Sequence, residues 1–341
     1  MTTFAVGPKE PADQKDLPRS LDRGLLPSER VFFGISRSIG TLVLLITGSI
    51  GLFLFLQLIP TIRRYGWHFF TQSQWEPYHT VPTVGISAAL LGTFEVALVA
   101  ISIAVPVGML TALYISEYAP RWLRGPLISM IDLMAAIPSI IYGLWGFFLL
   151  EPYAADVSRW LSEYLGWFPP FHVDTNPHAA VVQFATSYDG SVFIAGVVVA
   201  MMVTPIACSV MRGVFALAPA GEREAALALG SPRWGVIRSV VLPFGRGAII
   251  GGTMLGLGRA LGETIAVLLV ISVEFPISIH ILQTGTITIS SLIASKFSEA
   301  SPAELSALLA AGCVLFLITL LVNMIAALFI TRSRSGAATE I

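Results

Sequence analysis

Charge is what this sequence has least of. Asp, Glu, Lys and Arg make up 12% of its 341 residues, against about 25% in an ordinary soluble domain. A chain this poor in charge and 55% hydrophobic cannot clothe itself in a water-compatible surface, which excludes the soluble enzymes and the basic nucleic-acid binders. The formal balance of −1 by itself says nothing about partners. Cysteine is nearly missing as well. Cys208 and Cys313 lie inside apolar runs, so neither a disulfide framework nor a thiolate metal site is suggested and both read as packing residues. There is no G-x-x-x-x-G-K-[ST] loop to hold a nucleotide, and no H-E-x-x-H or G-x-S-x-G pattern of an intramembrane hydrolase. The five histidines, His68, His79, His172, His178 and His280, have no tight metal-ligand spacing and read as surface residues.

Long apolar runs are what the sequence has in quantity. Six of them, near residues 39–59, 85–115, 127–150, 192–217, 247–273 and 306–330, are long enough to cross about 30 Å of hydrocarbon at about 1.5 Å per residue. The spacing predicts an all-α polytopic membrane protein. A polar tail covers 1–38, the membrane domain 39–330, and a short tail 331–341. The second run is overlong and holds Pro106, so it should kink or extend beyond the bilayer. The first 38 residues are polar, so the first span is expected to act as a signal anchor.

Lys and Arg fix the orientation. Six precede the first span, two (Arg121, Arg124) sit between the second and third, five (Arg212, Arg223, Arg233, Arg238, Arg246) surround the bend at 219–243, and two end the chain. Against these, four lie on the opposite side: Arg63, Arg64, Arg159 and Lys296. Both termini and the bend are therefore expected in the cytoplasm. On the outer side, Y-A-A-D-V-S-R-W-L-S-E-Y-L-G-W places Val157, Trp160, Leu161 and Tyr164 on one face of a helix suited to the membrane surface.

The bend reads A-P-A-G-E-R-E-A-A-L-A-L-G-S-P-R-W-G-V-I-R-S-V-V-L-P. Glu222 and Glu224 suit the positive end of a short helix, Gly230 should stop it, Ser231 should cap a second helix, and Pro243 should close that one. Such a knob, flanked by apolar runs, protrudes from the membrane as a docking surface. Glu224, Ala225, Ala226, Gly230, Val240, Leu242 and Pro243 resemble the signature loop of ABC importer permeases, with valine at position 240 where the family usually has isoleucine. A-A-I-P-S-I-I-Y-G-L-W-G around Pro138 and G-L-G-R-A-L-G-E-T in the fifth run narrow the resemblance to PstC-type permeases of phosphate importers.

That resemblance implies the type I importer permease fold with six transmembrane helices, in the plasma membrane of a bacterial cell. It implies inward passage of phosphate, with other oxyanions such as molybdate or sulfate as the alternative cargo. The implied partners are a second, PstA-like permease subunit, a PstB-like cytoplasmic ATPase dimer that holds ATP and Mg, and a PstS-like phosphate-binding protein outside. No cofactor is expected on this chain itself. The bend would sit in the ATPase and pass its closure to the spans.

Within the spans, Arg259 and Glu263 are the costliest residues, since a mid-bilayer charge costs about 2.5 to 3.5 kcal/mol even on a lenient scale. Four residues apart on a continuous helix, they would share a face. Two readings stand: a self-neutralising pair, or an arginine fork for a phosphate oxygen pair with the carboxylate beside it. Glu95 in the second run is either a carboxyl bonded to a neighbouring helix or a further pathway group. Glycines 247 and 251, Gly252 and Gly256, and Gly258 and Gly262 form small-xxx-small pairs, expected to pack the fifth span closely against the second permease subunit. Pro138 should break the third span, freeing carbonyls that neighbours must satisfy.

Overall fold

The computed structural model of the protein describes residues 27–77, 83–173, 187–275 and 277–333. Its contacts fall into two units, Met1–Ile50 and Gly51–Ile341. In the first, the described residues are the opening turns of helix α1 (Pro27–Tyr65), whose large apolar side chains, Phe32 and Leu44 among them, are exposed. The helix begins at Pro27, well ahead of the expected start at 39. Proline suits a first helical position, and Glu29 in the first turn favours the dipole there.

The second unit carries the fold. A short helix α2 (His68–Thr71) and a two-stranded antiparallel sheet, β1 (Trp75–Glu76) with β2 (Thr83–Val84), pair Trp75 with Val84. The indole Nε1 of Trp75 donates to Glu304 at 2.8 Å. Helix α3 (Ser87–Leu113) runs through Pro106 and ends in a π turn, Tyr114–Tyr118, so the overlong second span extends rather than divides. α4 (Arg121–Ala136) and α5 (Ser139–Trp145) are separated at Pro138. After a π turn comes α6 (Glu151–Leu165). It buries Ala154, Ala155 and Ser158 and turns Val157, Trp160 and Tyr164 outward, three of the four residues expected at a membrane surface; the fourth, Leu161, is half-buried against the cluster of Ala155, Val173, Tyr188 and Leu282.

The long α7 (Val192–Phe215) packs mainly on α3. Small residues make that approach close, with Ala97, Ala100 and Ala104 meeting Val198, Val199 and Val203 in one core. Then come α8 (Ala220–Ala228), α9 (Arg233–Val236), a π turn (Ile237–Val241) and α10 (Leu242–Phe244). The fifth run follows as α11 (Arg246–Gly262) and α12 (Ile265–Val270), and the chain ends with α13 (Ile289–Lys296) and α14 (Pro302–Ser333).

Four helices among the described residues are long and apolar enough to cross a membrane: Glu29–Tyr65, Ser87–Tyr118, Val192–Phe215 and Pro302–Phe329. Two bent pairs, Arg121–Ala136 with Ser139–Leu165 and Arg233–Phe244 with Arg246–Gly262, bring the number to six. The fifth run is therefore not one helix from 247 to 273. It is entered from the bend through a 66° turn, and it breaks again after Gly262.

Candidate functional site

The bend follows its sequence closely at Gly230. This glycine has φ +82°, its amide donates to Leu227, and the amide of Ser231 donates to Ala226. That is a backbone cap in which the last carbonyls of α8 are satisfied by the residues that end it. Two details differ from expectation. Ser231 makes no side-chain cap, because α9 starts one residue later with Pro232 as its N-cap. Pro243 does not close the second helix either. The π turn at Ile237–Val241 widens the backbone just ahead of it, which accommodates the missing amide, and the helix continues to Phe244.

Glu224 and Ala225 are exposed and Ala226 is half-buried, while Val240 is buried and Leu242 half-buried. Leu217, Leu227, Leu229 and Trp234 are exposed near them, Leu229 at 88%. Beneath, Ile237 and Val241 join Phe215, Met211 and Ile115 in a buried cluster. The bend is thus rooted by its second half and presents its first. α8 has no buried residue. A polar contact reaches it from the spans. Arg223 Nη1 donates to Glu117 Oε2 at 3.2 Å, Nη2 lies 3.1 Å from Oε1, and Nη2 donates to the Phe215 carbonyl at 2.6 Å. Neither residue of this pair stood out in the sequence, where Glu117 passes as one more acid in a loop.

The second locality is the pair of broken spans. Pro138 has no amide for the carbonyl of Met134, four residues back. The Tyr142 hydroxyl donates to that carbonyl at 2.8 Å, helped by the amide of Ile137 at 3.3 Å. In the fifth span, Glu263 leaves the helix in extended conformation with ψ 129°. Its carbonyl accepts from Ser290 Oγ at 2.6 Å. Ser290 belongs to α13, which starts in a capping box between Thr288 and Ser291 and receives Thr93 of α3, whose hydroxyl accepts from the Ile289 amide at 2.9 Å. All five of these hydroxyl and carboxyl residues, Thr93, Glu263, Thr288, Ser290 and Ser291, are buried. The helices that follow the two breaks touch, since a Cβ on Gly143 of α5 would come within 2.8 Å of Ala266 of α12.

Because the helix ends at Gly262, Arg259 and Glu263 do not share a helical face. Among the described residues no ion pair joins them, so of the two readings the self-neutralising pair is not the arrangement formed. Arg259 lies exposed in the last turn of α11. Its one hydrogen-bond partner among those residues is the Met202 thioether, 3.4 Å from Nη2. Glu263 is 8% exposed. Glu95 is half-buried on α3, away from any hydrogen bond among the described residues.

The glycines divide. Gly252 and Gly256 are buried inside the chain, where a Cβ on Gly256 would meet Val203 of α7 at 2.6 Å. They pack α11 on its own chain, not on another subunit as the spacing suggested. Gly258 faces Asn323 of α14, and Gly262 is exposed with nothing within 4 Å of a Cβ. Asn323, beside the helix that carries Arg259, is a polar residue in the sixth span that the sequence reading passed over.

On the loop before α7, the Gly190 amide donates to Glu151 at 2.9 Å. Burial pushes the neighbouring Asp189 carboxyl above its ordinary range, with the Arg159 charge opposing. His280 is half-buried, its ring 5.5 Å from that of His172. His79, His178 and residues 1–26, 174–186 and 334–341 lie outside the described residues.

Residues 104–335 match the family described as binding-protein-dependent transport system inner membrane component. The phosphate transport system permease protein PstC of Xylella fastidiosa (strain 9a5c) is 43% identical over 271 residues, covering 80% of this chain and 81% of that protein. PstC 2 of Mycobacterium bovis is 38% identical over 297 residues, 86% and 89% of the two chains. The crystal structure of a bacterial ABC transporter involved in the import of the acidic polysaccharide alginate aligns over 92% of this chain and 100% of its own, with a TM-score of 0.52 and 19% identity. That likeness is one of fold.

Proposed function

The chain belongs to the binding-protein-dependent transport system inner membrane components, and from that membership we propose how it serves a phosphate importer. It is a multi-pass permease subunit with the type I ABC importer fold. Both termini and the bend face the cytoplasm, where an ATPase dimer binds the exposed apolar side chains Leu227, Leu229 and Trp234 around Glu224. ATP is hydrolysed there, not on this chain. A second permease subunit supplies the other half of the pathway and covers the exposed side of α11 at Gly262. Phosphate is handed over outside by a binding protein.

Arg259 is the observation that carries the pathway. A guanidinium on a membrane-crossing helix, with only a thioether for a partner among the described residues, retains most of its donors for an anion. Its planar fork suits two phosphate oxygens. Near neutral pH phosphate keeps at least one acidic proton and sulfate keeps none, so the Glu263 carboxylate accepts a hydrogen bond from the first and repels the second.

Uptake into proteoliposomes holding the whole importer tests this. Arg259→Lys should lower phosphate uptake roughly tenfold, because a point charge cannot replace a two-pronged contact. Glu263→Gln should lower phosphate uptake and narrow the preference over sulfate. Full uptake by the exchanged Arg259→Glu, Glu263→Arg chain at matched protein levels would remove both residues from the pathway.

A further inference from the structure

We propose that Arg223 and Glu117 are the positioning residues through which the bend moves the second and fourth spans. The inference rests on the ATP-driven reading above and names the contact inside this chain that makes it work. One guanidinium ties three elements. Arg223 stands on α8, Glu117 in the π turn that ends the α3 run, and Phe215 is the last residue of α7. The carboxylate and the carbonyl are both reached from the same fork, 106 and 8 residues away along the chain.

Three features separate this contact from an ordinary surface ion pair. Its side chains are only 23% and 13% exposed, so solvent screens it less than a fully exposed pair. No residue of α8 is fully buried, and the Arg223 guanidinium reaches from it to Glu117 and to the Phe215 carbonyl, so the polar clamp ties that helix to the spans. Glu117 is also next to a packed core: Ile115 lies with Met211, Phe215, Ile237 and Val241, so displacement of the π turn displaces side chains of α7 and of the π turn at Ile237–Val241 with it.

The clamp is not fully satisfied. Among the described residues Glu117 Oε1 and Arg223 Nε are buried without a hydrogen bond, although Nη2 stands 3.1 Å from Oε1; that approach is Coulombic and lacks hydrogen-bond alignment. A contact with spare donor and acceptor capacity can be remade in a second arrangement, as a part that works between two states requires.

The reconstituted importer provides the test, with phosphate uptake and ATP hydrolysis measured on the same vesicles. Glu117→Gln and Arg223→Gln should retain the ATPase in the purified complex and continue to hydrolyse ATP. Phosphate taken up per ATP should fall roughly tenfold, as loss of a charged, part-buried hydrogen bond allows, while the half-saturating phosphate concentration stays the same. Arg223→Lys should fall in between, and the exchanged Glu117→Arg, Arg223→Glu chain should regain part of the loss. These two also guard against a neutral variant that fails to assemble. Unchanged uptake per ATP in the neutral variants, or no difference between Arg223→Lys and Arg223→Gln, would overturn the inference. An unaltered chain that moved no phosphate with ATP would overturn the function proposed above instead, so the two failures are distinct.

Discussion

A helix ends in water at Gly230 and in the membrane at Gly262, and the two ends are built differently. At Gly230 the backbone caps itself: a left-handed glycine folds two amides back onto the carbonyls of Ala226 and Leu227, and nothing else in the molecule is needed. After Gly262 the chain leaves the helix extended, and the carbonyl of Glu263 is met by Ser290 from a helix further along the chain. The break at Pro138 follows the same rule, with Tyr142 reaching back to Met134. Water would bond any carbonyl left open at the bend. Lipid would not, so the breaks inside the membrane draw on hydroxyls: Tyr142 and Thr264 from just beyond each break, and Ser290 from a helix further along the chain.

The contrast can be broken in order of size. Enlarging the packed side of the fifth span should cost most. Gly256→Leu drives a side chain into Val203 and should abolish stable expression of the chain itself, by overpacking of more than about 3 kcal/mol. Gly262→Leu, with open space around it, should leave the isolated chain folded and weaken only its co-purification with the second permease subunit. Equal thermal stability of the two purified chains would contradict the division of the glycines.

Next come the hydroxyls. Ser290→Ala and Tyr142→Phe each leave a carbonyl without its side-chain donor and should destabilise the chain by about 1 to 3 kcal/mol, read as a lower midpoint of thermal unfolding in detergent. If water enters the break and replaces the hydroxyl, the midpoint will not move, and the membrane break will prove to be built like the one at Gly230.

The smallest effect on stability belongs to the bend. Gly230→Val forces a β-branched residue into φ +82°, worth about 1 to 3 kcal/mol of local strain, yet open space surrounds it, so the bend can shift to relieve part of it. The midpoint of unfolding should hardly change while phosphate uptake falls strongly. Normal uptake by a chain that retains its ATPase would deny the bend its coupling role.

Much of this was legible in the sequence. Six apolar runs and the stop at Gly230 depend on composition and on interactions within a few residues, and hydrocarbon thickness and backbone sterics fix their outcome locally. The fifth run could not be read that way. Its residues from Gly247 to Val273 are apolar enough for one helix, and the spacing of Arg259 and Glu263 suggested a shared face. Only the folded chain decides that Glu263 turns out of the helix, because the group that makes the turn tolerable, Ser290, sits on a short helix hidden in what reads as a loop. Gly256 belongs to the same class, since its pattern announces close packing without naming the partner, and α7 of the same chain takes the place expected of a second subunit. The sequence determines where the membrane is crossed and where water ends a helix, since those follow from local transfer energies. Which carbonyl is satisfied by which distant hydroxyl, and that Arg259 meets only a thioether among the described residues, arise from contacts made only once the helices have packed.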